Sequence, residues 1–259
     1  MLERGLTNRR RLDNRHRIRN WTAAAIPRKQ RFTCFHIRCI WRVIMTINFS
    51  GVLLDLDGLL LDTERLQVEI GPAVLRSLGH EMEPAFFHRL VGIPQAENAR
   101  LISLELGTPV DAVALDAAWN EAFYARMQEG IPVRPGVGDF LDALDRMHLP
   151  RAIATNGVTA RAEWKLEQTG LLGRIDAVIG IDQVKRGKPA PDVYIEAARR
   201  LGFSPSQCVA LDDSDLGVRA ALEAGVRTVI QVPDMVPSQD RHAHHQAESL
   251  DAARAILGL

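Results

Sequence analysis

The feature that most constrains this chain is a repeat of short apolar runs, each followed by an amphipathic stretch of helix length. The runs fall at residues 51–55, 152–155, 177–181, 208–211 and 228–232, and the first reads VLL between Gly51 and Asp55. Runs this short and this apolar suit strands covered on both faces, as in a parallel sheet. Their alternation with helices predicts an α/β fold built on a doubly wound parallel sheet. Gly170, Gly202 and Gly225 stand at the usual stop position of three intervening helices.

One interval breaks the rhythm. Between Leu61 and Pro132 strand-like runs vanish and helical spacing takes over, as in Leu115, Ala118, Trp119, Ala122 and Phe123. A helical domain over residues 62–131 is therefore expected, inserted into a discontinuous core of residues 45–61 and 132–259. Ligands of open α/β sheets bind beyond the carboxyl ends of the strands, where such an insertion would sit as a cap. Asp55, Thr155 and Asp212 are delivered to that end.

The formal net charge of zero conceals an asymmetry. Residues 1–44 carry 12 Lys and Arg against Glu3 and Asp13, a net of +10, and the remaining 20 basic and 30 acidic residues leave 45–259 at −10. A main domain this acidic repels a nucleic-acid backbone. No apolar run reaches the roughly 18 residues of a membrane span, and Arg38 and Arg42 interrupt the best candidate near Ile40. Neither nucleic acid nor membrane is an expected partner. The basic head would suit a nucleic-acid arm or a targeting segment, but Met45 stands just before the first strand, so residues 1–44 are expected to be a disordered or mis-assigned extension. Cys34, Cys39 and Cys208 lack metal-type spacing and call for neither zinc nor a disulfide.

Asp55-Leu56-Asp57-Gly58 sets two carboxylates two apart at a strand end, where alternation sends both to one side before Gly58 lets the chain turn. Alone, this is an acidic turn. Likewise Thr155 or Asn156 alone reads as a helix cap, and Lys188, beside Lys185 and Arg186, as a loop lysine. The four sites in order carry more: Asp55 to Gly58, then Thr155-Asn156-Gly157, Gly187-Lys188-Pro189 and Asp212-Asp213-Ser214 with Asp215-Leu216-Gly217. In this the chain resembles the haloacid dehalogenase superfamily over residues 51–232, helical cap included. The stretch DLDGLLLDTE at 55–64 is similar to that family's first motif in its phosphatase form, in the sugar-phosphatase and β-phosphoglucomutase-like branch.

The resemblance implies roles. Asp55 would attack phosphorus and form an aspartyl phosphate, and Asp57 would protonate the leaving alcohol and then activate water. Thr155 would donate to a phosphoryl oxygen with Asn156 beside it as an amide donor to substrate, and Lys188 would place positive charge on the phosphoryl group and Asp55. Mg²⁺ would be held by Asp55, Asp213 and the backbone carbonyl of Asp57, with Asp212 binding directly or through water, since the family more often has Glu-Asp than Asp-Asp here. In the cap, Gln67 and the turn Gly92-Ile93-Pro94-Gln95 are candidates for substrate choice, with hinges near residues 60–63 and 131–135. The implied protein is a cytoplasmic, magnesium-dependent phosphatase of a small phosphate ester, a sugar phosphate for preference, monomeric or a weak homodimer. A sugar phosphomutase of the β-phosphoglucomutase type is the alternative, against which Gln67 speaks because that branch holds a His there. His242, His244 and His245 read as surface residues, and Trp119 with Phe123 as packing residues.

Overall fold

Each of the five apolar runs falls on a strand: β1 (Gly51–Leu54), β2 (Arg151–Ala154), β3 (Ala177–Ile179), β4 (Cys208–Asp212) and β5 (Thr228–Gln231). The computed structural model describes residues 48–91, 93 and 95–259, so residues 1–47, Gly92 and Pro94 lie outside the described residues, together with what was expected of the extension 1–44 and of that turn. A sixth strand of two residues, β6 (His245–Gln246), was not anticipated because it falls in a polar tail. Its place beside β5 is secured when His244 Nδ1 accepts from the Val229 N–H at 2.9 Å. All three histidines of that tail are exposed.

The strands pair in parallel in the order β3-β2-β1-β4-β5-β6. From β1 the chain steps outward through β2 and β3, then crosses back to β4 on the other side of β1. This is the doubly wound sheet expected of the alternation.

Between β1 and β2, the described residues among 63–128 form helices and turns only, the α-helices being α1 (Thr63–Ser77), α2 (Pro84–Phe87), α3 (Gln95–Leu106) and α4 (Ala112–Gln128). Leu115, Trp119, Phe123 and Met127 recur every fourth residue of α4 and are all buried, as are Leu66, Ile70 and Val74 of α1, which packs along α4. Asp111 caps α4 by accepting from the N–H groups of Val113 and Ala114. Where the insertion leaves and rejoins the sheet, its two connections are laced together. Asp62 N–H donates to Pro132 O and Arg134 N–H to Leu60 O, both at 2.9 Å, flanking a bridge between Leu61 and Val133. The Arg134 guanidinium adds a bond to Gly58 O and a 3.3 Å pair with Asp234.

Strand alternation divides the interior in two. Val52 and Leu54 of β1 face one side, covered by α5 (Val137–Arg146), α6 (Thr159–Gln168) and, after β6, a C-terminal helix spanning Leu250–Leu257. Leu53 faces the other, covered by α7 (Asp192–Arg200) and α8 (Asp215–Glu223). Counting on in chain order, the C-terminal helix is α9. No helix among the described residues is long and apolar enough to cross a membrane. Because Leu53 is wholly buried between sheet and helices, Leu53→Ala should lower the urea-unfolding free energy by about 2–5 kcal/mol, the cost of a methyl-lined cavity in a packed core.

Candidate active site

β1 and β4 are neighbours, yet the chain leaves them toward opposite edges of the sheet, so the crevice beyond their carboxyl ends is open. Asp55 stands there, held against β4 by its N–H bond to Leu211 O at 3.0 Å. Three residues on, Gly58 turns the chain at φ 84°, a left-handed conformation, and a β-carbon there would lie 2.2 Å from Asp213 Oδ2. Only glycine allows both the turn and the close approach of Asp213.

Asp212, the last residue of β4, is wholly buried and fully used as an acceptor. Its Oδ1 receives Ser214 N–H at 2.9 Å and Ser214 Oγ–H at 2.8 Å, and its Oδ2 receives Tyr194 Oη–H at 2.6 Å and Lys188 Nζ at 2.7 Å. Ser214 is at the same time the cap of α8, accepting from Gly217 N–H at 3.1 Å. A β-carbon at Gly217 would fall 1.8 Å from Asp212 Oδ2. Glycine at that place in α8 is what lets the carboxylate sit under the helix.

Lys188 Nζ also bonds Asp55 Oδ1, so one ammonium lies between two carboxylates. Burial by itself would lower the pKa of that ammonium, but Asp212 and Asp55 together outweigh it and hold the group above its ordinary value. Burial raises Asp55 to about 7 despite the opposing pull of Lys188, with repulsion from Asp212 adding to the rise. Asp213 is pushed well above the usual carboxylate range, by burial first and then by Asp212 and Asp55. Tyr194 is likewise raised, by burial and by Asp212, and keeps the proton it donates.

Asn156 sits at the end of β2, and the sequence suggested an amide donor to substrate. Its carboxamide engages the main chain of Lys188: Oδ1 accepts Lys188 N–H at 2.7 Å and Nδ2 donates to Lys188 O at 3.2 Å. Asn156 thereby clamps the lysine loop, and the second N–H of Nδ2 is left over as the amide donor the sequence suggested. Thr155, buried beside it, accepts Gly157 N–H at 3.0 Å on Oγ1 and retains its hydroxyl proton for donation. It is not a helix cap, since α6 starts four residues later at Thr159.

Carboxylate oxygens of Asp55, Asp212 and Asp213 lie within 4.8 Å of one another, an all-oxygen set suited to a hard cation. The lone pairs of Asp212 are already committed to four donors, so direct ligation of a cation would fall to Asp55 and Asp213. No hydrogen bond from the described residues reaches the Asp213 carboxylate.

The Asp57 carboxylate stands apart from this cluster. Its Oδ1 accepts from Thr63 Oγ1 at 2.8 Å and from Lys165 Nζ at 2.6 Å. Sequence reasoning missed Lys165. The available signal was its place on α6 between Ala162 and Leu166, both buried, which puts a lysine on a core-facing helix surface.

Beside Asp57 a cleft of about 370 Å³ opens between the insertion and α6, its walls including Gln67, Asn98, Trp119, Phe123 and Arg161. The indole N–H of Trp119 donates to Gln67 Oε1, which leaves the amide N–H groups of Gln67 as the donors it can offer. Asn98 Oδ1 is a buried acceptor with no partner among the described residues. Trp119 and Phe123 are packed in the insertion's core, as expected, and also form part of this wall. Of the cap turn, Gly92 and Pro94 are not among the described residues.

A family model described as haloacid dehalogenase-like hydrolase matches residues 49–225 of the chain. The chain is 33% identical over 185 residues to the fructose-1-phosphate phosphatase YqaB of Escherichia coli, covering 70% of this chain and 96% of that protein. It is 29% identical over 183 residues to a phosphorylated carbohydrates phosphatase of Thermotoga maritima, covering 71% and 85%. A crystal structure of a HAD family hydrolase from Deinococcus radiodurans, with bound phosphate and sodium, superposes with a TM-score of 0.70 at 27% identity, covering 82% of this chain and 96% of that one.

Tyr194→Phe keeps the ring and removes one donor from a buried carboxylate. It should cost roughly 1.5–3 kcal/mol of stability, the range for a hydrogen bond to a charged group, read from the urea midpoint at unchanged slope.

Proposed function

The chain belongs to the haloacid dehalogenase-like hydrolase family, and on that premise we propose that it is a magnesium-dependent phosphatase of a small sugar phosphate, working through an aspartyl phosphate. One observation carries the proposal: the Lys188 ammonium lies between Asp55 and Asp212 at the switch point of the sheet, with Asp213 open toward the same space. A phosphate ester approaching Asp55 meets like charge, at about 4 kcal/mol for two unit charges 4 Å apart in a half-buried site. Lys188 offsets that repulsion where the two groups must meet.

Asp55 Oδ1 is held by Lys188, so Oδ2 attacks phosphorus. The bond from phosphorus to the alcohol oxygen breaks, and Asp57 gives that oxygen its proton. Asp57 then takes a proton from the water that attacks the aspartyl phosphate, the Asp55–phosphorus bond breaks, and inorganic phosphate leaves with the Asp55 carboxylate restored. Thr155 donates its hydroxyl to a phosphoryl oxygen throughout. Asp55, Asp213 and the carbonyl of Asp57 would hold a magnesium ion, which when bound adds positive charge against the phosphoryl oxygens.

Residues 62–131 act as the cap, moving about the laced connections at 60–63 and 131–135. The sugar-phosphate assignment draws support from the two carbohydrate phosphatases to which the chain is similar. It draws further support from a cleft that sets the Gln67 donors and the Asn98 acceptor against a wall of Trp119 and Phe123, a combination suited to hydroxyls on a ring with apolar C–H faces.

Phosphate release should be seen with sugar phosphates in magnesium and be lost in EDTA; a screen silent on every sugar phosphate would remove the substrate assignment. Asp55→Ala should abolish turnover, and Asp57→Asn should lower kcat by roughly 10²- to 10⁴-fold. A pH dependence follows from the raised carboxyls. Asp55 titrates near 7 in the ion-free fold and Asp213 is raised as well, so protons occupy the site below that pH and must leave before a cation binds. Above it the ionised carboxylates repel one another and a cation relieves them. Saturating magnesium should therefore raise the melting temperature more at pH 8 than at pH 6, and an equal or reversed increment would count against carboxylate ligation.

A further inference from the structure

The Asp57 carboxylate is gripped from one side only. Both donors that reach it, Thr63 Oγ1 at 2.8 Å and Lys165 Nζ at 2.6 Å, converge on Oδ1. No hydrogen bond from the described residues reaches Oδ2. The anchors are buried: Thr63 is 3% and Lys165 5% exposed, whereas the Asp57 side chain keeps 34% of its surface accessible and lines the cleft. They also come from different parts of the fold, Thr63 from the first turn of α1 and Lys165 from the core-facing surface of α6. A half-turn of the carboxylate merely exchanges two equivalent oxygens and restores both bonds, whereas smaller rotations weaken them, so one oxygen is held and the other faces the cleft.

Stability alone does not account for an ammonium at this place. Desolvating a lysine offsets most of what a buried ion pair returns, and an apolar residue of similar volume serves a core as well or better. The other lysine with a buried side chain among the described residues, Lys188, also lies on an acid of the proposed chemistry. Resting on the phosphatase reading above, we propose that Lys165 is a positioning residue for Asp57: with Thr63 it holds Oδ1, so that Oδ2 alone faces the cleft and carries the proton to and from the reacting oxygen.

The test uses the full chain with Lys165→Met, which keeps the apolar stem and removes the ammonium, and reads kcat/KM for two aryl esters, phenyl phosphate and p-nitrophenyl phosphate, in saturating magnesium. Phenolate needs a proton as it leaves far more than p-nitrophenolate does. Expected is a loss of about 10²-fold on phenyl phosphate against less than about 5-fold on p-nitrophenyl phosphate, the same pattern as Asp57→Asn and within the usual range for general acid catalysis. The double variant Lys165→Met/Asp57→Asn should be no slower than Asp57→Asn alone, because the lysine acts through the acid. Equal losses on the two esters, or losses that multiply in the double variant, overturn the proposal and leave the phosphatase reading intact. A wild-type protein that hydrolyses neither ester overturns both. Should the methionine variant fail to fold by circular dichroism, Lys165→Gln enters the same comparison with the same expected pattern.

Discussion

The crevice depends on one unfavourable interaction and its relief: three carboxylates, Asp55, Asp212 and Asp213, brought within a few ångströms of one another beyond the ends of two adjacent strands. Left to itself such a cluster would repel and protonate. Lys188 keeps it together by lying between Asp55 and Asp212, and much of the surrounding structure serves to keep Lys188 there. Asn156 clamps its backbone, Tyr194 and Ser214 satisfy the remaining lone pairs of Asp212, and Gly217 leaves the space in which that carboxylate sits. Burial first, and repulsion among the acids after it, push Asp55 and Asp213 upward. A pocket in that condition favours a cation and disfavours a second unshielded anion, which suits it to a phosphate ester arriving with a metal.

Division of labour between the two acids of the first motif follows from their surroundings. Asp55 is buried against an ammonium in the anionic cluster, whereas Asp57, two residues on, is drawn to the other side of the crevice by Thr63 and Lys165. Strand alternation alone would have left them side by side. The chain leaves extended geometry after Leu54, and the turn at Gly58 with the start of α1 at Thr63 gives the second carboxylate partners of its own. The helical insertion thus reaches into the crevice: its first helix supplies one of the two anchors of Asp57, while Gln67 and Trp119 shape the neighbouring cleft.

Much of the fold was legible in the sequence because it is written in local patterns. The apolar runs located β1 to β5 since a strand buried on both faces tolerates few polar residues, and the loss of those runs after Leu61 marked the helical insertion. Short contiguous motifs likewise made Asp55, Lys188 and Asp213 candidates before any coordinates. β6 escaped because two polar residues carry no periodicity, and its pairing is a backbone ladder with a distant strand to which His244 adds a bond to a backbone N–H. Lys165 escaped for a related reason: a lysine in an amphipathic helix reads as solvated unless the partner 108 residues away is known.

What the sequence determined by itself was therefore the order of elements and the identity of the acids, because periodicity, turn chemistry and motif spacing are properties of neighbouring residues. Only the tertiary structure decided which oxygen of which acid is free. It assigned Asn156 to Lys188, filled Asp212 with donors, and left Asp213 and one oxygen of Asp57 facing the crevice. Such allocations are set by hydrogen bonds between residues distant in sequence, and a donor's choice among several nearby carboxylates depends on positions that only the packed sheet and its helices define.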